Sequence, residues 1–122
     1  MSLTNPSQVL LRNIDALNAQ TPLFINMPAD DFFADYIKES PNASPTSLHT
    51  HYAEFQYINS HFTNTVECLF TSHYQTSNRH DLVVISFPKS KAEFKFMLAM
   101  VTPFLLNDAQ ILIVGDNKSG IK

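Results

Sequence analysis

Glycine is nearly absent from this chain: among 122 residues, only Gly115 and Gly120 are glycine. A dinucleotide or adenosyl cofactor bound to an α/β sheet needs glycines after the first strand, because backbone amides must approach the ligand closely. The segment after the first predicted strand, residues 27–31 (MPADD), contains no glycine and carries a proline and two carboxylates. We therefore predict that the chain has no cofactor site of this type.

Cysteine and long apolar runs are also scarce. The single cysteine, Cys68, excludes an internal disulfide, and its apolar neighbours predict a buried thiol in a reducing compartment. The longest uncharged apolar run, residues 96–106, is too short to span a bilayer and contains Pro103. Residues 1–9 lack the pattern of a signal peptide. We expect a soluble, cytoplasmic protein with no membrane partner.

The composition is that of a globular protein. Apolar residues make up 44% of the chain, with ten phenylalanines, which excludes a disordered polypeptide. The net charge of −3 is weak and argues against strong non-specific binding to nucleic acid, although it leaves room for a local basic patch. We expect residues 1–122 to form a single domain.

Two buried strands with a helix between them are the clearest pattern. Residues 80–87 and 111–114 are nearly continuous aliphatic runs, which is typical of strands covered on both faces. Between them, a helix is predicted over residues 90–106, and Pro103 is expected to kink or end it. Its apolar face consists of Phe94, Met97, Leu98, Val101, Phe104 and Leu105.

The patterns before residue 80 are weaker. Ser7 is expected to cap a first helix with Val9, Leu10 and Ile14 on its apolar face. The other predicted elements are a strand at 22–26, a helix at 32–39 with Asp30 and Asp31 at its start, a strand within 48–55, a short helix or turn at 57–62 and a strand at 66–71. Residues 72–79 are expected to be a polar connection.

This alternation of strands and helices predicts an α/β fold, a three-layer sandwich with a mostly parallel sheet. Ligands of such sheets bind at the carboxyl ends of the strands. The loops of interest would therefore follow Asn26, Phe55, Phe87 and Val114.

Positive charge is concentrated in the C-terminal part of the chain. From Arg79 onward there are six basic and four acidic residues, whereas two basic and seven acidic residues precede it. Such charge near one edge of the sheet favours contact with RNA phosphates or an acidic partner. The candidate RNA-contact residues are Arg79, Lys89, Lys91, Lys95 and Lys118. The alternative is that these side chains only solvate loops and a helix end.

A metal site and a nucleophile are not favoured. His49 and His51 are spaced so that they would share one face of a strand, but zinc would need a third ligand from His61, His73, His80 or Cys68. No recognised ligand spacing is present, so we expect no metal site. Residues 115–120 lack the ending of a Walker motif, and no Gly-x-Ser-x-Gly elbow occurs.

Three segments carry a resemblance: residues 7–12 (SQVLLR), 87–94 (FPKSKAEF) and 114–120 (VGDNKSG). In this order and spacing they resemble the N-terminal domain of the bacterial 16S rRNA guanine-N2 methyltransferases. The resemblance implies a two-domain protein whose C-terminal domain binds S-adenosylmethionine and carries an Asn-Pro-Pro-Phe/Tyr motif. It also implies that the N-terminal domain is a degenerate Rossmann-like methyltransferase fold, non-catalytic, which supports the catalytic domain and helps to engage the RNA.

The chain itself has no Asn-Pro-Pro-Phe/Tyr tetrapeptide; residues 87–90 (FPKS) stand at the corresponding strand end. No catalytic or cofactor-binding residue is therefore carried over. The expected partners are the protein's own C-terminal catalytic domain, absent from this chain, and 16S rRNA or the small ribosomal subunit. Two alternatives remain: a protein-interaction or folding-support domain without RNA contact, and a small stand-alone enzyme that binds a metal through His49 and His51.

Overall fold

The computed structural model describes residues 5–13, 17, 19–28, 30–41, 43–62, 66–70, 80–86 and 91–114. In this part of the chain, helices and strands alternate from α1 to β3 and again from β4 to β5. The strands are β1 (Pro22–Ile25), β2 (Thr46–His49), β3 (Glu67–Phe70), β4 (His80–Ser86) and β5 (Leu105–Val114). The helices are α1 (Asn5–Arg12), α2 (Phe32–Glu39), α3 (Tyr52–Phe62) and α4 (Lys91–Val101).

The strands form one sheet in the order β3-β2-β1-β4-β5. All four pairings between neighbouring strands are parallel. Strand order reverses between β1 and β4, which makes the carboxyl ends of these two strands the topological switch point. The predicted α/β class and the parallel sheet are confirmed.

The central strand β1 explains the layered arrangement, because all four of its residues are buried. Side chains alternate across a strand, so one face of β1 carries Phe24 and the other carries Leu23 and Ile25. We call the face that carries Phe24 the first face of the sheet, and the face that carries Leu23 and Ile25 the second face. The first face packs against α1, α2 and α3, and the second against α4, which gives the predicted three layers.

The core of the first face is aromatic. The ring of Phe24 meets those of Phe32, Phe33 and Tyr36 edge-on, with centroids 5.5, 5.1 and 5.2 Å away. Edge-to-face contact is the preferred geometry for aromatic rings and adds to the gain from burying their area. These three aromatic residues of α2 therefore hold the helix against the centre of the sheet.

A loop carboxylate, Asp30, joins α1 to the start of α2. Asp30 is fully buried; its Oδ2 accepts a hydrogen bond from Ser7 Oγ at 2.8 Å and its Oδ1 one from the Phe32 amide at 3.0 Å. The predicted carboxylate at the start of α2 is thus confirmed. Ser7, however, lies inside α1 rather than capping it, and Val9 is 41% exposed, so those two predictions are wrong. The hydroxyl of Ser7 instead bonds to Asp30, which is 23 residues away and cannot be identified as its partner from the local sequence.

Several predicted boundaries also need correction. The strand sought within residues 48–55 is β2, at Thr46–His49, and residues 52–55 already belong to α3. The loop after this strand therefore follows His49 and not Phe55. Weak alternation over short runs does not separate a strand end from a helix start.

The helix predicted over residues 90–106 is shorter in the structure. It ends at Val101 and continues as a single 3₁₀ turn, Thr102–Phe104, because Pro103 has no amide to donate. Strand β5 then begins at Leu105, six residues before the predicted aliphatic run. The apolar helix face is confirmed for Phe94, Met97, Leu98 and Val101, which pack in the core of the second face. Phe104 and Leu105, which were also predicted on it, lie in the 3₁₀ turn and at the start of β5.

No helix among the described residues is long and apolar enough to cross a membrane. Two features named from the sequence, Ile14 and the connection at 72–79, lie outside the described residues.

Candidate functional site at the carboxyl ends of the strands

The switch point lies where β1 and β4 end, and Asn26 is the residue that follows β1. Its φ angle is 55°, in the left-handed region, where it is the one non-glycine residue among those described. Most side chains are disfavoured there, but asparagine tolerates it better than other residues with a Cβ atom. Asn26 thus makes the turn that a glycine makes in a cofactor-binding loop.

The side chain of Asn26 joins the ends of two neighbouring strands. Its Oδ1 accepts a hydrogen bond from the Thr50 amide at 2.8 Å, and its Nδ2 donates to Thr50 Oγ1 at 3.0 Å. The Asn26 amide donates to the Leu48 carbonyl at 2.8 Å, which extends the pairing of β1 with β2 by one residue. Both ends of the amide group are therefore used to hold β1 against the segment after β2.

A side chain from α4 lies against the same group. Met97 is fully buried, and its Sδ is 3.8 Å from Asn26 Nδ2. Met97 also packs with Ile25 and Ile85, the apolar residues near the ends of β1 and β4. Met97 thus covers the turn that follows β1.

His49, the last residue of β2, is fully buried. Its Nε2 is 2.6 Å from Ser47 Oγ, while its Nδ1 has no hydrogen-bond partner among the described residues. Burial, and to a lesser extent the nearby His51, lowers the pKa of His49 from 6.5 to about 4. A charged imidazole loses its hydration here without an anion to replace it, so the ring is neutral at pH 7.

The two histidines considered as a metal pair do not share a strand face. Strand β2 ends at His49, and His51 lies in the bend before α3, with its Nε2 3.8 Å from Glu93 Oε1. Within the described ranges, no three His, Cys, Asp or Glu side chains cluster so as to hold a metal ion. His61 instead approaches the Tyr57 carbonyl through its Nδ1.

Cys68 lies in β3 and is half-buried, so the sequence prediction of a buried thiol is met only in part. Burial, reinforced by Glu67, raises the pKa of this thiol to about 11. A thiol with so high a pKa is a poor nucleophile at neutral pH. The geometry therefore agrees with a packing role.

The predicted RNA-contact residues are only partly covered by the structure. Lys91 is the first residue of α4, and Lys95 is exposed one turn further along the same helix. Because α4 follows β4, its start lies at the carboxyl edge of the sheet, where the sequence placed the positive charge. Arg79, Lys89 and Lys118 lie outside the described residues.

A surface depression of about 330 Å³ lies elsewhere, lined by Leu11, Asp35, Lys38 and Glu39. These residues belong to the end of α1 and to α2. Helix α2 runs back from the end of β1, so this depression lies towards the amino edge of the sheet. It is not part of the switch point.

Sequence reasoning missed the roles of Asn26, Thr50 and Met97. One local signal was available: an asparagine directly after a buried strand is a residue type suited to a left-handed turn. Thr50 and Met97 are 24 and 71 residues away from Asn26, so no local pattern connects them.

A parallel sheet with its switch point between β1 and β4 and helices on both faces defines the class of fold, that of the Rossmann-like methyltransferases. A solved structure of the mitomycin 7-O-methyltransferase MmcR superposes with a TM-score of 0.67 over 88% of this chain and 36% of that chain, at 14% sequence identity. A putative caffeoyl-CoA O-methyltransferase from Staphylococcus aureus superposes with a TM-score of 0.66 over 96% of this chain and 59% of that one, at 18% identity. The predicted fold class is confirmed.

The chain belongs to the family described as "Methyltransferase small domain N-terminal", whose model matches residues 7–122. Two relatives, both named "Ribosomal RNA small subunit methyltransferase C", agree with this. The one from Colwellia psychrerythraea is 43% identical over all of this chain and 36% of that protein, and the one from Pseudoalteromonas translucida is 35% identical over 98% and 34%. The resemblance stated from the sequence is confirmed, and the chain spans about a third of the length of these relatives.

We predict that two substitutions of Asn26, the residue of the left-handed turn, lower the free energy of unfolding by different amounts. Asn26→Gly should lower the free energy of unfolding by about 1–2 kcal/mol, because it removes the bonds to Thr50. Asn26→Ala should lower it by about a further 1 kcal/mol, because alanine resists the positive φ angle. Urea denaturation followed by circular dichroism measures both.

The matched control is Asn13→Ala. The side-chain Nδ2 of Asn13 also donates a hydrogen bond, to the Val9 carbonyl at 2.8 Å, but this residue is exposed at the end of α1. This variant should change stability by less than about 0.5 kcal/mol. Equal stability of the glycine and alanine variants at position 26 would contradict the argument from backbone conformation.

We predict that acid destabilises the fold through His49. Its pKa is about 4 in the folded chain and 6.5 in the unfolded chain, so its contribution is fully present above pH 6.5 and is lost as the pH falls towards 4. The loss should reach about 3 kcal/mol, measured by urea denaturation across this pH range. His49→Gln should flatten the slope, whereas His61→Gln, at an exposed site, should keep it. An unchanged slope in His49→Gln would disprove the assignment.

Proposed function

We propose that this chain is a non-catalytic N-terminal domain of an S-adenosylmethionine-dependent 16S rRNA guanine-N2 methyltransferase. In this role residues 1–122 lack a cofactor site, support the catalytic domain and help to engage the RNA substrate. The observation that carries the proposal is the family match over residues 7–122, joined to strand ends that Asn26 bridges with side-chain bonds. Work on ribosomal RNA would place the protein in the cytoplasm.

The lack of a cofactor site is supported by the geometry after β1. A cofactor that lies across the switch point needs free backbone amides there and a carboxylate at the end of the next strand for its ribose. Here the Asn26 amide donates to Leu48, and Thr50 stands beyond the end of β2. Met97 lies against the same turn and takes up space beside it. Neither requirement is met by these residues.

The cofactor would instead be bound by the C-terminal domain of the same protein. Both relatives carry the name of a ribosomal RNA methyltransferase and are about three times as long as the part that this chain matches. A covalently linked catalytic domain is therefore the first partner that the proposal requires. The second partner is 16S rRNA, or the small ribosomal subunit that contains it.

RNA contact is supported by the charges at the start of α4. A helix start is the positive end of the helix dipole, so a lysine there slightly destabilises the helix. Lys91 is nevertheless the first residue, with Lys95 exposed one turn later, and Glu93 offsets only part of this charge. Helix stability therefore does not account for these lysines. Binding of an anionic ligand at the carboxyl edge of the sheet, such as an RNA phosphate, would account for them.

A folding-support domain without RNA contact is the alternative that a specific observation favours. Ile111 and Ile113 of β5 are 41% and 44% exposed, which is apolar area available for contact with further polypeptide. This alternative and RNA binding make opposite predictions for charge reversal at the lysines. The metal-dependent enzyme receives no such support, since His49 is held by Ser47 and His51 lies beside Glu93.

We predict that S-adenosylmethionine does not bind to this chain. Calorimetric titration should give no binding heat up to about 1 mM ligand, a concentration that reveals even weak sites. The full-length protein should bind one molecule and not two, which shows that the ligand is intact and the assay sensitive. Micromolar, stoichiometric binding to residues 1–122 would disprove the proposed loss of the cofactor site.

We predict that the double charge reversal Lys89→Glu/Lys91→Glu weakens RNA binding by the full-length protein. Removing two phosphate contacts and adding two negative charges should lower the affinity about 10- to 100-fold. The slope of log K against log salt should become shallower by about one to two. Fluorescence anisotropy with a labelled 16S rRNA fragment at several salt concentrations measures both quantities.

The matched control is Lys38→Glu, which reverses an exposed lysine near the end of α2, towards the opposite edge of the sheet. This variant should leave the RNA affinity within about twofold. If Lys89→Glu/Lys91→Glu behaves like the control, the proposed RNA contact is wrong and the folding-support alternative is favoured.

A further inference from the structure

Three aromatic rings meet at the carboxyl edge of the sheet, where β3 ends. Phe70 is the last residue of β3, and Tyr52 and Phe55 lie at the start of α3. The ring centroid of Phe70 is 5.4 Å from that of Tyr52 and 5.5 Å from that of Phe55, and the Tyr52 and Phe55 centroids are 6.1 Å apart. We call these three side chains the aromatic platform. Each ring contacts the other two, so their positions are fixed relative to one another.

The platform is attached to the sheet, but two of its rings remain open to solvent. Phe70 pairs in register with His49, and the Phe55 ring lies against the buried His49 ring with centroids 6.2 Å apart. Tyr52 is nevertheless 58% exposed and Phe70 47% exposed. Single exposed apolar residues are ordinary, whereas large apolar side chains that are exposed side by side mark binding surfaces. The platform is therefore a candidate binding surface.

The charges around the platform restrict what it can bind. Residues 40–78, which include all three rings, contain two glutamates and no lysine or arginine. A phosphate group would find no lysine or arginine in this segment to balance its charge. An uncharged planar group, by contrast, gains from stacking on an aromatic ring and needs no cation there. A nucleobase is such a group.

The lysines that the phosphates require lie at the same edge of the sheet. His51, which directly precedes Tyr52, has its Nε2 3.8 Å from Glu93 Oε1 in the first turn of α4. Glu93 lies between Lys91 and Lys95 in the sequence, and Lys95 is exposed. The contact between His51 and Glu93 thus brings the start of α3 to the start of α4. Aromatic rings for bases beside cations for phosphates are the combination that single-stranded nucleic acids bind.

We infer that the aromatic platform binds an unpaired base of the RNA, which stacks on Tyr52 and Phe70 while Lys91 and Lys95 contact phosphates of the same strand. A base inside a duplex is stacked between its neighbours and cannot lie on a protein ring. The partner of this surface is therefore a single-stranded loop, bulge or end of RNA, and not a duplex. The inference rests on the proposed RNA contact and adds to it the kind of RNA that is bound.

The test uses the full-length protein and a labelled RNA of about ten nucleotides, offered single-stranded or annealed to its complement. In fluorescence anisotropy, Tyr52→Ala/Phe70→Ala should lower the affinity for the single strand about 10- to 100-fold. It should leave the affinity for the duplex within about twofold, because paired bases do not reach the rings. The slope of log K against log salt should stay the same, since no charge is removed.

The matched control is the exchange Tyr52→Phe/Phe70→Tyr, which keeps both rings and should bind the single strand within about twofold of the unmodified protein. Circular dichroism verifies that both variants are folded. If Lys89→Glu/Lys91→Glu weakens RNA binding and Tyr52→Ala/Phe70→Ala does not, the inference is overturned while the proposed function stands. If neither variant weakens binding, the proposed RNA contact is wrong and the inference is lost with it. An equal loss of affinity for single strand and duplex would also overturn the inference.

Photo-crosslinking provides a second test that needs no variant. The full-length protein is irradiated with single-stranded RNA that contains 5-iodouridine, whose uracil ring becomes joined to an aromatic side chain on which it is stacked. Mass spectrometry of the peptides should then find the nucleotide on Tyr52 or Phe70. Adducts at other residues only would overturn the inference, because the two rings would then be occupied by protein, such as the catalytic domain, and not by a base.

Discussion

The burial of β1 on both faces is the constraint on which the rest of the molecule depends. A strand of four buried residues cannot be stable with one covered face, so the chain must place helices on both sides of the sheet. Phe24 recruits the aromatic residues of α2 to the first face, while Leu23 and Ile25 require α4 on the second. The reversal of strand order at β1 follows from this, since right-handed connections reach opposite faces only when the chain turns towards opposite edges.

Two features of the sheet bear on function. At the carboxyl ends of the strands, a ligand-binding member of such a fold leaves backbone amides free, whereas here Asn26 uses its own side chain to join β1 to Thr50. At the edge, β5 has the apolar composition of a covered strand while Ile111 and Ile113 are exposed. One surface has side-chain bonds where a ligand would lie, and the other lacks the cover that its composition requires. Both features support the proposal of a domain that acts through its neighbours.

The elements that sequence predicted well are those whose signal is local. Helix α2 occupies residues 32–39 as expected, and β1, β3 and β4 lie within one or two residues of their predicted bounds, because compact apolar runs flanked by polar residues mark them. The start of β5 was missed, since residues 107–110 (NDAQ) have no strand pattern and the pairing of β5 with β4 is irregular between Leu105 and Gln110. The role of Ser7 was wrong for the same kind of reason: its partner, Asp30, is 23 residues away.

By itself, the sequence determined the class of fold, the lack of a glycine-rich loop and the family, because each of these depends only on residue types and on the spacing of apolar positions. Only the tertiary structure decided that Asn26, Thr50 and Met97 meet at the switch point, that His49 is buried beside Ser47, and that the isoleucines of β5 share the face of α4. These facts depend on strand order and register, which join residues far apart in the chain. Local sequence patterns do not specify which distant residues pair, because the pairing depends on the register of the whole sheet.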